Sequence, residues 1–117
     1  MDNPTLNLIH AHGSVRRYKP DPVPASAIER IVAAAQRAST SSNMQIYSVI
    51  AVTDADKRNQ LAELCGGQSQ IREAPVFLAW CADRARLDQV CALRGYMQSS
   101  ETLENFLVAA VDAAIAA

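Results

Sequence analysis

Hydrophobic side chains recur at helical spacing along most of the chain, and polar or glycine-containing turns separate the segments. Five helices are predicted on this basis, at residues 5–12, 24–38, 55–65, 86–97 and 103–117. The helix that follows Asp54 has the clearest boundaries, because aspartate caps helix N-termini and Gly66-Gly67 stop the helix. The helix at 86–97 has the weakest pattern of the five.

Two short apolar runs rich in β-branched or aromatic residues predict β-strands at 46–53 and 74–82. Both runs lack alternating polar residues, which predicts that the strands are buried on both faces. Asp83 ends the second strand. Helices around so small a sheet indicate an α+β fold, and the length predicts a single domain over residues 1–117.

The helix from Leu103 onward is apolar on nearly every side. One face carries large hydrophobic residues at helical spacing, and the opposite face is mostly alanine. The large residues are Leu103, Phe106, Leu107, Val111 and Ile115. A helix that is apolar all round is normally buried. We therefore expect this chain to be the front part of a longer protein, or the helix to pack against a second subunit.

Composition narrows the class of protein. Half of the residues are hydrophobic, a fifth are charged and the formal net charge is −1, which is typical of a soluble globular domain and gives no basic excess for binding nucleic acid. The 21 alanines, against 5% aromatic residues, predict packing through small side chains. Cys65, Cys81 and Cys91 form neither a disulfide framework nor a zinc motif. With no signal peptide or membrane span predicted, we expect a reduced, cytoplasmic protein without membrane contacts.

Three polar segments could carry chemistry. Residues 12–19 (HGSVRRYK) place a hydroxyl, two guanidinium groups and an ammonium group together, a set that suits a phosphate, although a solvated basic turn has the same composition. Residues 39–45 (STSSNMQ) offer four hydroxyls and two amides for a polar heterocycle or phosphate, and they also fit a simple helix stop. Residues 66–68 (GGQ) could approach a ring edge or merely end a helix.

Other kinds of site have little support in the sequence. His10 and His12 form an H-x-H pair without a carboxylate or cysteine at metal-ligand spacing, so no metal site is predicted. The serines Ser14, Ser41 and Ser42 lack the G-x-S-x-G context, so no nucleophile elbow is predicted.

In this order, five motifs of the chain resemble the first half of the FMN-dependent nitroreductase family, particularly its NADPH-linked nitroreductases and flavin reductases. They are HGSVRRY at 12–18, QRASTSSNMQ at 36–45, VIAVTD at 49–54, LCGGQ at 64–68 and WCAD at 80–83. The resemblance implies helices around a small, mostly antiparallel sheet, in a homodimer. Together with the apolar helix from Leu103 onward, it leads us to expect a homodimer or a higher homo-oligomer. Gly13 departs from the family pattern, which has arginine there, so one cation of the phosphate site is missing.

The resemblance also implies a set of FMN-binding residues. The phosphate cradle of the family is matched by His12, Ser14 and Arg16. The segment that reaches the partner's flavin across the dimer interface is matched by Ser39, Thr40, Ser41 and Asn43. The residue that hydrogen-bonds the ring edge is matched by Gln68. The implied activity is two-electron transfer from NAD(P)H to a nitroaromatic, a quinone or a flavin, in which the cofactor carries the chemistry.

Two other interpretations stay open at this point. The chain could be a non-catalytic half-domain that associates with a partner and binds no flavin. Alternatively, Ser14, Arg16 and Arg17 could form a simple phosphate- or nucleotide-binding module.

Overall fold

A computed structural model of the chain describes residues 2–97 and 102–117. Over these residues the chain forms six α-helices, two strands and one short 3₁₀ turn. In chain order they are α1 (Pro4–His10), α2 (Ala25–Ala35), the 3₁₀ turn (Ser41–Asn43), β1 (Tyr47–Val52), α3 (Ala55–Leu64), α4 (Ser69–Glu73), β2 (Phe77–Ala82), α5 (Arg84–Leu93) and α6 (Leu103–Ala116).

The two predicted strands form one antiparallel sheet. Tyr47 pairs with Ala82 at one end of the sheet and Val52 pairs with Phe77 at the other. Both strands are shorter than the predicted runs at 46–53 and 74–82. The prediction that they are buried on both faces is wrong for this chain, because every residue of the two strands keeps some exposure and Ile50 is 57% exposed. Apolar runs indicate what a strand is able to bury, whereas the packing of the described helices decides what is covered.

Local capping explains most helix boundaries. The Asp54 side chain accepts a hydrogen bond from the Lys57 N–H at 2.9 Å, which confirms the predicted start of α3. The predicted helix at 86–97 begins earlier, at Arg84, because the Asp83 carboxylate accepts from the Arg86 N–H. It also ends earlier, at Leu93, where the chain turns into Gly95.

Three other expectations about the helices need correction. Helix α4 was not predicted, since five residues are too few to show a helical period. Helix α2 stops at Ala35, before the predicted end at Ala38. The i, i+3 spacing of Leu61 and Leu64 predicts that both lie on the inner face of α3, but Leu64 is 84% exposed and only Leu61 is partly buried. Spacing therefore identified the helix without identifying its inner face.

The core consists mainly of small side chains, as the alanine content predicts. The buried hydrophobic residues are Ile46, Ala62, Ile71, Ala74, Ala109, Ala113 and Ala116. The last three lie on α6, which packs against both strands. Alanine permits a close approach between a helix and a sheet, so the alanine face of α6 turns inward.

The large residues of α6 lie on the outside. Leu103, Phe106, Leu107, Val111 and Ile115 are each more than half exposed. Within this chain the large apolar face of α6 is therefore uncovered, and the expectation that it packs against a missing part of the protein or a second subunit stays a prediction. No helix among the described residues is long and apolar enough to cross a membrane.

Candidate functional site

A cavity of about 630 Å³ lies where the segment after α1 meets α4 and the start of β2. Ser14, Arg16 and Gln68, which are distant in the chain, all line it. The other lining residues are mostly apolar. They are Val15, Tyr18, Val23, Gln70, Ile71, Ala74, Pro75, Val76, Phe77 and Leu78. The fold therefore brings the Ser14 hydroxyl, the Arg16 guanidinium group and the Gln68 amide together against a mostly apolar wall.

The segment that carries Ser14 and Arg16 is extended for a local reason. Three prolines between residues 20 and 24 prevent a helix from forming before α2. The Tyr18 hydroxyl donates to the Val15 carbonyl oxygen at 2.9 Å, which braces the segment. Arg17 is not among the lining residues, although both of its neighbours are. The family resemblance assigns Arg16 rather than Arg17 to the phosphate, and of the two adjacent arginines only Arg16 lines the cavity.

Two glycines form the turn that positions Gln68 on the cavity wall. Gly66 and Gly67 adopt positive φ angles of 83° and 75°, a conformation that most other residues adopt only with strain. The Gly67 N–H donates to the Ala62 carbonyl oxygen at 2.8 Å and ends α3. The helix-stop interpretation of this segment is thus correct, and it is compatible with a binding role because the turn leaves Gln68 on the cavity wall.

The Gln68 side chain also has a neighbour within the cavity. Its carbonyl oxygen accepts a hydrogen bond from the Gln70 amide at 2.6 Å. This bond engages the acceptor end of Gln68 and leaves its NH₂ group as the end suited to an acceptor on a ligand. The Arg16 guanidinium is always charged and presents a planar fork of donors that matches phosphate oxygens. The cavity can therefore hold an anionic group together with a flat, partly polar ring.

The remaining predicted site residues do not line this cavity. His12 lies just beyond α1, where its side chain is exposed and its N–H donates to the Ile9 carbonyl oxygen at 3.1 Å. Ser39, Thr40, Ser41 and Asn43 lie in and beside the 3₁₀ turn before β1. Within one chain, the predicted residues thus fall in three places: the cavity, the exposed position of His12 after α1, and a separate polar segment before β1.

That polar segment has a strained backbone. Ser42, Asn43 and Gln45 have positive φ angles of 51°, 54° and 52°. Asparagine tolerates this region, whereas serine and glutamine are held there at a cost of about 1–3 kcal/mol each. The Gln45 side-chain amide donates to the Asn43 side-chain oxygen at 3.0 Å. Such conformations persist where surrounding groups hold them, and they concentrate at ligand-binding positions.

Two distant side chains hold the segment from opposite ends. The Ser41 N–H donates to Oδ1 of Asp112 at 3.2 Å, and the Arg86 guanidinium donates to the Gln45 carbonyl oxygen. Asp112 is 2% exposed, and its Oδ2 has no hydrogen-bond partner among the described residues. Sequence reasoning missed Asp112. The available signal was an acidic residue on an otherwise apolar stretch of α6, because burying a carboxylate costs free energy unless hydrogen bonds or an opposite charge compensate for it.

A second carboxylate, that of Asp83, ties α5 to the sheet. The Ser48 hydroxyl on β1 donates to Oδ2 of Asp83 at 2.5 Å. This hydrogen bond lowers the pKa of Asp83, and the bond from the Arg86 N–H lowers it further. The ionised carboxylate thereby caps α5 and places Arg86 beside the strained segment. No cluster of three or more potential metal ligands occurs among the described residues.

The described residues form an α+β protein in which helices surround a small antiparallel sheet, with a cavity lined by Ser14, Arg16 and Gln68 beside the sheet. The chain belongs to the nitroreductase family, whose sequence profile matches residues 9–117. It is 39% identical to the FMN reductase [NAD(P)H] of Bacillus subtilis (strain 168) over 116 residues, which make up 97% of this chain and 47% of that protein.

Solved structures show the same fold. The NADPH:FMN oxidoreductase from Vibrio harveyi complexed with NAD⁺ has a TM-score of 0.86 at 33% identity, covering 97% of this chain and 48% of that one. Nitroreductase A from Vibrio parahaemolyticus RIMD 2210633 also has a TM-score of 0.86 at 33% identity, covering 98% and 48%. The chain spans about half the length of the curated relatives that it matches.

Proposed function

We propose that this chain forms the FMN-binding part of an NAD(P)H oxidoreductase that transfers two electrons to a nitroaromatic, a quinone or a flavin. The observation that carries the proposal is the cavity in which Ser14, Arg16 and Gln68 meet. Its relatives support the proposal, since they include an FMN reductase, an NADPH-flavin oxidoreductase and an oxygen-insensitive NADPH nitroreductase.

The cavity residues fit FMN chemically. The volume of about 630 Å³ lies within the range of roughly 300–1,000 Å³ that is usual for cofactor sites. The Arg16 guanidinium and the Ser14 hydroxyl suit the phosphate, because a charge-assisted bond from a planar fork is among the strongest that a side chain can make. The NH₂ group of Gln68 suits an acceptor on the isoalloxazine edge. Apolar side chains of β2 suit the flat ring.

We further propose that the protein is a homodimer in which His12 completes the phosphate site and the polar segment reaches the flavin of the partner. Ser39, Thr40, Ser41 and Asn43 lie away from the cavity of their own chain, which is compatible with a role in the second subunit. The exposed apolar stripe of α6, at Phe106 and Val111 among others, supports an interface because a monomer rarely leaves such a patch in water.

When bound, FMN supplies the electron transfer, so a catalytic side chain is not part of the proposal. The contribution of this chain is to hold the phosphate, orient the ring edge and shield part of the ring with apolar groups. We place the protein in the cytoplasm as a single nitroreductase-like portion over residues 1–117. The three unpaired cysteines support a reducing compartment.

The test is a titration of the purified chain with FMN, followed by anaerobic addition of NADPH or NADH. We expect quenching of FMN fluorescence at a stoichiometry of one flavin per chain, and then bleaching of the flavin absorbance by the nicotinamide. Binding without bleaching would support a flavin-binding module that lacks the reductase activity. A chain that stays colourless after incubation with FMN would contradict the proposal and favour an associating half-domain without flavin.

A further inference from the structure

We propose that Asp112 is a positioning residue, which holds the segment at residues 41–45 in the conformation that contacts flavin. This inference rests on the proposed function, because it assigns a role to the segment only if FMN binds. Asp112 touches neither the cavity nor any residue assigned to the phosphate. It acts through the Ser41 N–H, its hydrogen-bond partner in the segment.

The burial of Asp112 is the first observation. Its side chain lies on the same inward face of α6 as Ala109, Ala113 and Ala116, and it is 2% exposed. A buried carboxylate costs free energy that one neutral N–H donor offsets in part, and apolar residues often replace buried charges without loss of stability. General stability is therefore a weak explanation for an aspartate at this place. A stronger explanation is that the segment at residues 41–45 needs the Asp112 acceptor to keep its conformation.

The conformation of that loop is the second observation. Ser41 directly precedes the left-handed pair Ser42 and Asn43, and Gln45 is left-handed as well. Asp112 holds the N-terminal end of this stretch through the Ser41 N–H, while Arg86 holds its C-terminal end through the Gln45 carbonyl oxygen. Because Ser42 and Gln45 are held in this conformation at a cost, we expect the backbone to relax if either end is released. The two long-range bonds thus select one conformation among those open to a serine-rich loop.

The place of Asp112 on α6 is the third observation. The inward face of this helix holds the segment through Asp112, while Phe106, Val111 and Ile115 occupy its exposed stripe. One rigid helix therefore carries both the proposed subunit interface and the anchor of the segment. The helix thereby fixes the distance between the segment and the second subunit. A flexible loop without such an anchor would leave this distance variable.

The experiment compares Asp112→Asn with Asp112→Leu in the full chain. Asparagine keeps a side-chain oxygen that accepts from the Ser41 N–H, whereas leucine has similar bulk and no acceptor. We expect Asp112→Leu to weaken FMN binding by about tenfold or more, which is the usual scale for losing one hydrogen bond that orders a site. The affinity of Asp112→Asn for FMN should stay within about threefold of that of the unmodified chain. Ala62→Val, a change at a buried position on α3, serves as a control for simple loss of stability.

Two readouts separate positioning from folding. Amide hydrogen exchange at Ser41 should speed up in Asp112→Leu but not in Asp112→Asn. The visible circular dichroism of bound FMN should change in the same variant. Equal losses of affinity in both Asp112 variants, unchanged affinity in Asp112→Leu, or an equal loss in Ala62→Val at the same melting temperature would each overturn the inference.

A second pair of variants covers the case in which Asp112→Leu fails to fold. Ser41→Pro removes the N–H donor, and the extended backbone of Thr40 (φ −126°, ψ 146°) is compatible with a following proline. Ser41→Ala removes only the hydroxyl. We expect weaker FMN binding in Ser41→Pro than in Ser41→Ala, and equal affinities would overturn the inference. If the unmodified chain does not bind FMN, the proposed function itself is refuted. That outcome is distinct from the variant results above, which test only the role of Asp112.

Discussion

Replacement of Arg16 by alanine is the most direct test of the phosphate site. The two adjacent arginines have the same charge and both are exposed, yet only Arg16 is among the cavity-lining residues. A charge-assisted hydrogen bond to phosphate contributes about 1.5–3 kcal/mol. Its loss corresponds to roughly a 10- to 150-fold rise in the Kd for FMN. Arg17→Ala removes the same charge beside the site, and we expect a change below about 0.5 kcal/mol, as at an ordinary surface position.

The assay is a fluorescence-quenching titration of both variants with FMN and with riboflavin, which has the same ring without the phosphate. The unmodified chain should prefer FMN, and Arg16→Ala should lose most of this preference while its affinity for riboflavin stays nearly constant. The preference should also shrink at high salt, because ions screen the interaction of an exposed charge. Equal losses of FMN affinity at the two arginines would refute the assignment. An equal loss of riboflavin affinity in Arg16→Ala would do the same.

Three further predictions concern assembly, acid stability and the shared site. Phe106→Asp should lower the mass measured by light scattering to that of one chain, whereas Leu64→Asp, on an exposed position of α3, should leave the mass unchanged. Asp83→Asn should lower the melting temperature at neutral pH. The difference should disappear as the pH falls through the lowered pKa of Asp83, because a carboxylate with a lowered folded-state pKa stabilises the fold only while it is ionised. Mixing Arg16→Ala chains with Asp112→Leu chains should restore FMN binding in up to half of the sites of the mixed dimers. One of the two sites then combines an intact Arg16 from one subunit with an intact Asp112-anchored segment from the other. No recovery of FMN binding in demonstrated mixed dimers would contradict a site shared between subunits.

Local chemistry made much of the architecture predictable. The start of α3 depends on Asp54 and its end on Gly66-Gly67, so a few neighbouring residues contain the whole signal. The two strands are similarly visible as apolar runs, and the ordered motifs predicted the nitroreductase family, which the family profile confirms. Helix α4 escaped detection because one turn and a half is too short to establish a period.

Long-range packing decided the rest. Helical spacing assigned the large residues of α6 to contacts outside this chain, and only the packing shows that its alanine face turns inward together with Asp112. That Ser14 and Arg16 line the same cavity as Gln68 also follows from packing, because these residues are more than 50 positions apart in the chain. The bond between Ser41 and Asp112 joins residues 71 positions apart. A linear pattern reports the preferences of each segment separately, whereas these features depend on which surfaces meet once all segments have packed.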